Sequence, residues 1–318
     1  MKDFLKNLYY NTTLGYYIIS IHKFFYDFFN SRLISDKADA KRKFKKTFGY
    51  KLNLENPQTL NEKIQWLKLN YRTDLHTLCV DKLTARDYIK EKVGEKYLVP
   101  LVYFTDKSEE LTLDKLPEYP VIMKTNHASS GGIVIVKDKQ SIDIKKEQNI
   151  FKRRLKQNYY TYSREWQYKN IKPKILIEKL LIDEHGNIPM DYKLHCFHGK
   201  VEVIQIDIDR FTDYRRNIYD RQWNLLPFLW GLGGLRLREG KIKPINADRI
   251  IPRPETLEEM IILAEKLSSP FYYARIDLYT IGTQVYCGEL SFTSENGLGV
   301  IYPQEFDKML GDKLKLPI

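Results

Sequence analysis

An α+β fold with antiparallel sheets is predicted by three observations. Apolar, β-branched runs come in hairpin-like pairs, Tyr192 to Phe197 with Val201 to Ile208, and Ala274 to Tyr279 with Thr283 to Leu290. Two helix-start signatures, Thr59 with Glu62 and Thr256 with Glu259, each introduce a stretch of helical periodicity. Strands and helices are mixed without strict alternation, which argues against a parallel βαβ sheet.

Asn56-Pro57-Gln58-Thr59 closes an irregular stretch, and the capping box at Thr59 places a helix over Leu60 to Leu69. A second helix is expected to start at Asp81 and run to Gly94. Tyr97 to Val102 reads as a short strand, after which Pro117 and Pro120 punctuate the chain. Val121 to Lys124 and Ile133 to Val136 read as strands on either side of Thr125-Asn126-His127-Ala128-Ser129-Ser130-Gly131-Gly132. Residues 147–170 form a polar, Tyr-rich helical stretch, and Lys174 to Glu178 a strand with a polar end. The helix from Leu257 to Leu267 puts Leu257, Met260, Ile261 and Ala264 on one face, and the last hairpin turns near Ile281-Gly282.

The chain has 318 residues, enough for a buried core without disulfide staples. Its three cysteines, Cys79, Cys196 and Cys287, show no ligand spacing, so reduced, buried thiols in a cytoplasmic protein are expected. The formal net charge is +11, which favours anionic partners. No zinc spacing, ribonucleoprotein aromatic motif or basic helix with heptads is present, which argues against nucleic acid.

Residues 7–22 carry no full charge and are rich in Tyr, Leu and Ile, and aromatics continue from Phe24 to Phe29. Polar interruptions make this a poor spanning helix. With the basic run Lys41, Arg42, Lys43, Lys45 and Lys46 behind it, the segment over residues 1–46 suits peripheral contact with an anionic membrane face, or packing against the protein's own core.

Three groups of residues carry chemistry. The loop after Met123-Lys124 has the strand–loop–strand form of a phosphate flap. Ser129, Ser130, Gly131 and Gly132 would let backbone amides approach a polyphosphate, and Lys124 would neutralise it; a plain hairpin turn is the alternative. Asp277 and Glu289 lie on the two arms of the last hairpin, where facing carboxylates repel unless a cation sits between them. That arrangement suits Mg²⁺, which combines a few carboxylates with phosphate oxygens. Glu178 ends an apolar strand where backbone groups could read a purine edge, and Lys193, beside Asp191, could face phosphates. Arg210, Arg215 and Arg216 offer guanidinium forks for an anionic acceptor, or a solvated basic loop. The chain is divided accordingly into a helical aromatic and basic segment at 1–50, an α/β part at 51–110, a phosphate-flap subdomain at 111–180 and a metal-binding subdomain at 181–318.

Taken in order, these pieces resemble the ATP-grasp superfamily, and within it the teichuronopeptide-biosynthesis branch of bacterial surface-polysaccharide clusters. The matching stretches are Asn56-Pro57 with Asn61-Glu62-Lys63 and Trp66; Asp81-Lys82 with Ala85-Arg86; Met123-Lys124 through Gly131-Gly132; Ile177-Glu178; Asp191-Tyr192-Lys193 through Gly199-Lys200; and Arg275-Ile276-Asp277 through Gly288-Glu289-Leu290-Ser291-Phe292-Thr293. The resemblance implies two α+β subdomains clasping ATP. Lys82 and Lys124 would hold phosphates under the flap of Ser129 to Gly132, and Glu178, Lys179 and Leu180 would border the adenine. Lys193 would line the cleft, Asp277 and Glu289 would bind Mg²⁺, and Arg275 would stabilise the transferred phosphoryl group. Many relatives carry Asn two residues after the metal-binding Glu. Here that residue is Ser291, with Asn296 the nearest substitute.

The implied reaction is carboxylate activation: a carboxylate attacks the γ-phosphorus, and an amine displaces phosphate from the acylphosphate to give an amide. The acceptor is expected to be an anionic sugar or amino acid, lipid-linked if the N-terminal segment meets a membrane. The alternatives are a glycan-directed phosphotransferase or glycosyltransferase, for which Asp207-Ile208-Asp209 has the spacing of a metal motif, and a non-catalytic scaffold at a membrane surface.

Overall fold

The computed structural model describes residues 8–9, 12, 14–15, 17–21, 33–128, 132–208, 215–231 and 250–318. The chain forms two units, one of residues 1–39, 81–83 and 99–180, the other of residues 40–80, 84–98 and 181–318.

Four short runs build the antiparallel sheet of the first unit: β1 (Leu101–Thr105), β2 (Val121–Thr125), β3 (Val134–Val136) and β4 (Ile175–Lys179), in the order β1-β4-β2-β3. Side chains alternate between its faces. Val121, Met123, Ile175 and Ile177 enter a core with Leu111, Leu116 and Phe151, the last from the helix Ile144–Leu155. The pairings Ile122↔Glu178 and Lys124↔Leu176 therefore leave Lys124 and Glu178 together on the opposite face.

The second unit has a five-stranded antiparallel sheet. Its strands are β5 (Asp191–Phe197), β6 (Lys200–Ile208), β7 (Arg215–Tyr219), β9 (Tyr273–Ile281) and β10 (Gln284–Ser291), in the order β10-β9-β5-β6-β7. A two-stranded sheet joins β8 (Leu229–Gly231) to β11 (Val300–Tyr302). One face of the larger sheet carries Leu194, Cys196, Ile204, Ile206, Ile276 and Leu278, all buried, and the helix Leu257–Ser268 packs against β5, β6 and β9. The other face is divided. At one end Phe197, Val203, Ile218 and Tyr273 join Leu60, Ile64 and Leu67 of the helix Leu60–Asn70 in a single apolar core. At the other end it is ionic, and the candidate site lies there.

Both predicted hairpins form, and the capping box at Thr59 is complete: its side chain accepts from Glu62 N while Glu62 reaches back to the Thr59 amide. Four other expectations are corrected. The second capping box is absent, because Glu259 instead accepts from the Tyr97 hydroxyl at 2.7 Å and Thr256 makes no capping bond. The helix expected from Asp81 to Gly94 begins only at Ala85 and ends at Lys92, and a separate helix, Asp74–Val80, precedes it. Asp81 Oδ1 accepts from the Leu83 amide and from Asn126 Nδ2, which holds the chain in a turn between them. The strand expected from Tyr97 begins only at Leu101, since Glu95–Tyr97 is a 3-10 turn and Pro100 has no amide to pair. The 147–170 stretch is the helix Ile144–Leu155 followed by the short turns Tyr160–Ser163 and Trp166–Tyr168, and left-handed Arg164, at φ 61°, separates the two turns. No helix among the described residues is long and apolar enough to cross a membrane.

Candidate active site

In the first unit, strand alternation brings Lys124 Nζ to 2.6 Å from Glu178 Oε2, both side chains being largely buried. A carboxylate in that setting is tolerable only when a cation answers it. Lys82 Nζ donates to the Ala128 carbonyl at 2.8 Å, at the start of the predicted flap. Asn126, fully buried, ties the same corner together through Asp81, the Lys172 carbonyl and the Lys174 amide. Ser129, Ser130 and Gly131 lie outside the described residues. Gly132, at the flap's end, has φ +82°, and a Cβ there would stand 3.2 Å from Arg154 Nη1, so a side chain would be both strained and crowded. The amides of Lys179 and Leu180 donate to the carbonyls of Pro100 and Pro120, so neither reads a purine edge in this arrangement.

In the second unit, the registers Lys193↔Asp277, Asp191↔Asp207, Asp207↔Arg216 and Glu289↔Asp277 stack ionisable side chains across all five strands on one face. Lys193 Nζ contacts Asp191 and lies 3.3 Å from Asp207 and 3.6 Å from Asp277. Arg275 grips Asp277 through both arms of its fork, at 2.6 and 2.7 Å, and its Nη2 also lies 3.2 Å from Glu289. The same nitrogen is 3.4 Å from Ser291 Oγ. Arg216 binds Asp207 at 2.8 Å, Glu295 at 2.8 Å and the Trp230 carbonyl at 2.5 Å. Among the described residues, three cations thus face five carboxylates in a buried layer.

The electrostatics follow from that arrangement. Burial pushes the Asp277 carboxyl up to about 6, against the pull of Arg275 and Lys193. Burial acts to lower the Lys193 pKa, but Asp277, Asp191 and Asp207 outweigh it and hold the ammonium charged. His195, fully buried and close to Arg275, is held well below its ordinary value. Its neutral ring meets the Tyr273 hydroxyl at Nδ1, 2.9 Å away, and Gln205 Oε1 at Nε2, 3.4 Å away.

Beside this layer, Glu295, Asn296 and Gly297 all have positive φ, at 49°, 59° and 64°. Two successive non-glycine residues in the left-handed region are strained and need external support. The helix Leu60–Asn70 supplies it: Gln65 Nε2 donates to the carbonyls of Asn296 and Gly297 at 2.7 and 3.0 Å. Lys68 Nζ donates to Asn296 Oδ1 at 2.8 Å, and Asn61 Nδ2 to the Gly299 carbonyl at 2.9 Å.

The structure therefore gathers Lys193, Arg275, Asp277, Glu289 and Ser291, while Asn296 is engaged by Lys68. Arg216 is no solvated loop residue: it sits buried on β7 within the ionic layer, with half-buried Arg215 at that strand's start. Arg210 and Asp209 lie outside the described residues. Sequence reasoning misses Asp207 and Glu295 as members of the layer. Asp207 is legible in principle, because Gln205 and Asp207 are same-face polar residues in the otherwise apolar run Val203 to Ile208. Glu295 leaves no local signal, since it reaches Arg216 from far along the chain. Among the described residues no group of three or more His, Cys, Asp or Glu side chains is arranged to hold a metal ion. Magnesium bound to phosphate oxygens needs only one or two protein carboxylates, and Asp277 and Glu289, opposite each other on neighbouring strands, fit such an ion.

This geometry accompanies a family match. A family model described as TupA-like ATPgrasp matches residues 62–315. The chain belongs to that family, the one its ordered motifs resemble. No curated protein matches it. Among solved structures it is similar to D-alanine–D-alanine ligase from Bacillus anthracis complexed with ATP, at 17% identity and a TM-score of 0.37, over 68% of this chain and 54% of that one. It is also similar to D-alanine–D-alanine ligase from Helicobacter pylori, at 15% identity and a TM-score of 0.42, over 82% of this chain and 67% of that one. A third is the ATP-grasp ligase PsnB complexed with minimal precursor, Mg and ADP, at 11% identity and a TM-score of 0.39, over 80% and 65% of the two chains. The chain thus spans about half the length of the Bacillus ligase.

Proposed function

We propose that this protein is an ATP- and Mg²⁺-dependent carboxylate–amine ligase that acts through an acylphosphate in bacterial surface-polysaccharide modification. The observation that carries the reading is the buried ionic layer of Lys193, Arg275 and Arg216 against Asp191, Asp207, Asp277, Glu289 and Glu295 in a chain of the TupA-like ATP-grasp family. An anionic sugar or amino acid, carried on a lipid phosphate, is the proposed acceptor, and the cytoplasmic face of the membrane is the proposed place of reaction.

Asp277 and Glu289 would hold Mg²⁺, which when bound neutralises β- and γ-phosphate oxygens and polarises the γ-phosphorus toward attack. Lys82 and Lys124 would bind phosphate oxygens, Lys124 exchanging Glu178 for them. The flap of Ser129, Ser130, Gly131 and Gly132 would cover the phosphates and exclude water, and Glu178, Lys179 and Leu180 would border the adenine. Arg275 Nη2, shared between Asp277 and Glu289, would grip an equatorial oxygen of the transferred phosphoryl group as charge develops there. Lys193 would keep the surrounding aspartates ionised and oriented. Arg215 and Arg210 would hold the acceptor's anionic group.

Thermal-shift measurements with ATP–Mg²⁺ and with UDP-sugars test this reading on the wild type and on Asp277→Asn. ATP–Mg²⁺ is expected to raise the melting temperature of the wild type and to do so less in the variant. Stabilisation by UDP-sugars alone would replace the ligase with a glycosyltransferase. ADP and phosphate release that requires both an acid and an amine is the matching activity.

A further inference from the structure

We infer that the N-terminal segment docks this protein on an anionic lipid bilayer. Residues 8–21 contain no charged side chain. Within them, residues 14–15 and 17–21 are helical, and Leu14, Tyr17, Ile18 and Ile21 are 72%, 61%, 59% and 60% exposed. Their spacing of three, four and seven residues puts all four on one face of the helix. A contiguous row of large apolar side chains facing outward marks a surface that meets something apolar.

The segment is tied to its own unit at both ends. Arg153 Nη1 donates to the Tyr9 carbonyl at 2.6 Å. Beyond the apolar row, Arg164, only 2% exposed, donates to the Ile34 carbonyl and to Asp36 Oδ1, each at 3.1 Å, and the Tyr160 hydroxyl reaches Asp36 at 2.7 Å. What the apolar row binds therefore holds the folded unit with it, which a loose tail would not do.

Charge selects the occupant. The helix Asp36–Phe48 buries Ala40 and Phe44 and exposes Lys37, Lys41, Arg42, Lys45 and Lys46, so its outward side is basic. An uncharged apolar face followed by a basic helical face supplies the two terms by which a peripheral segment binds anionic lipid: shallow burial of side chains and attraction to headgroups. Duplex nucleic acid would engage the cations and leave the apolar row in water. The inference concerns where the proposed reaction takes place and does not rest on its chemistry.

Flotation of the full chain with phosphatidylcholine vesicles, with and without phosphatidylglycerol, tests it. Binding is expected to the anionic vesicles, to weaken with salt, and to be slight on neutral ones. Neutralising Lys41, Lys45 or Lys46 singly (K41Q, K45Q, K46Q) is expected to lower the partition coefficient about fivefold each. The triple variant Leu14→Asp, Ile18→Asp, Ile21→Asp is expected to lose binding while keeping its response to ATP in the thermal-shift assay, which separates this inference from the ligase reading. Tyr17→Trp offers a second readout in the otherwise native chain. The emission it adds over the wild type is expected to shift to the blue when anionic vesicles are present. Absence of wild-type binding, no blue shift in the Tyr17→Trp variant, retention by the triple aspartate variant, or equal binding to duplex DNA at the same salt would overturn the inference.

Discussion

The two units solve the burial of charge in different ways. In the first, Lys124 and Glu178 answer each other as a pair across neighbouring strands. In the second, Lys193 alone touches three aspartates, Arg275 bridges Asp277 and Glu289, and Arg216 bridges Asp207 and Glu295. A pair is a local arrangement that an apolar pair of similar volume can replace. A network is not, because each cation is shared and its loss strands several carboxylates at once. The difference suits the proposed roles: a lysine in a single pair can exchange its carboxylate for a phosphate, whereas a layer whose cations are each shared keeps its shape while accepting a further cation.

The strongest test of that contrast is Lys193→Met. It removes the cation from Asp191, Asp207 and Asp277, and is expected to cost about 3–5 kcal/mol in urea unfolding at neutral pH. Adding Asp277→Asn is expected to recover only part of this, since Asp191 and Asp207 remain. Full recovery would reduce the network to a set of pairs.

A buried acid answered by hydrogen bonds provides the next test. Asp307 accepts from the Asn61 amide at 3.0 Å, and burial pushes its carboxyl up to about 6 from an ordinary 3.8. Between those values the native state holds more proton than the unfolded chain, so stability falls as pH rises through the window. Asp307→Asn is expected to remove that decline, which is on the order of 3 kcal/mol for a shift of this size. An unchanged slope between pH 4 and 6 would show that Asp307 ionises as readily in the native state as in the unfolded chain.

The pair in the first unit should behave oppositely to the network. Lys124→Met is expected to cost about 2–3 kcal/mol by leaving Glu178 buried without its lysine. The double substitution Lys124→Met, Glu178→Leu is expected to return to within about 1 kcal/mol of wild type in the same denaturation assay.

The smallest effect compares a completed local device with an incomplete one. Thr59→Ala breaks a capping box and is expected to lower stability by about 1 kcal/mol, whereas Thr256→Val is expected to cost nothing measurable, because the Thr256 hydroxyl is buried without a hydrogen-bond partner.

The two Thr-x-x-Glu signatures show what is legible in sequence and what is not. Both read as helix starts, and helices do follow both. Only one forms the reciprocal cap, since Tyr97, far away in the chain, takes Glu259. The same division runs through the candidate site. Lys193, Arg275, Asp277 and Glu289 could be singled out because a polar residue in an apolar strand is costly unless it has work to do. Their partners could not all be named. Asp207, on the strand that the predicted hairpin pairs with β5, required the register that sets it opposite Asp191, and Glu295 required the turn that Gln65 and Lys68 of a distant helix hold in left-handed geometry.

By itself, the sequence determined the α+β class, both hairpins, the family and most of the charged residues that gather on one sheet face. Those properties are written in short-range periodicity, capping chemistry and turn residues, which act over a few positions. The tertiary structure alone decided where the helix after Asp81 begins, which carboxylate each cation answers and how strongly burial shifts Asp277. Those outcomes depend on strand order, register and exclusion of water, and these arise only when segments distant in the chain are brought side by side.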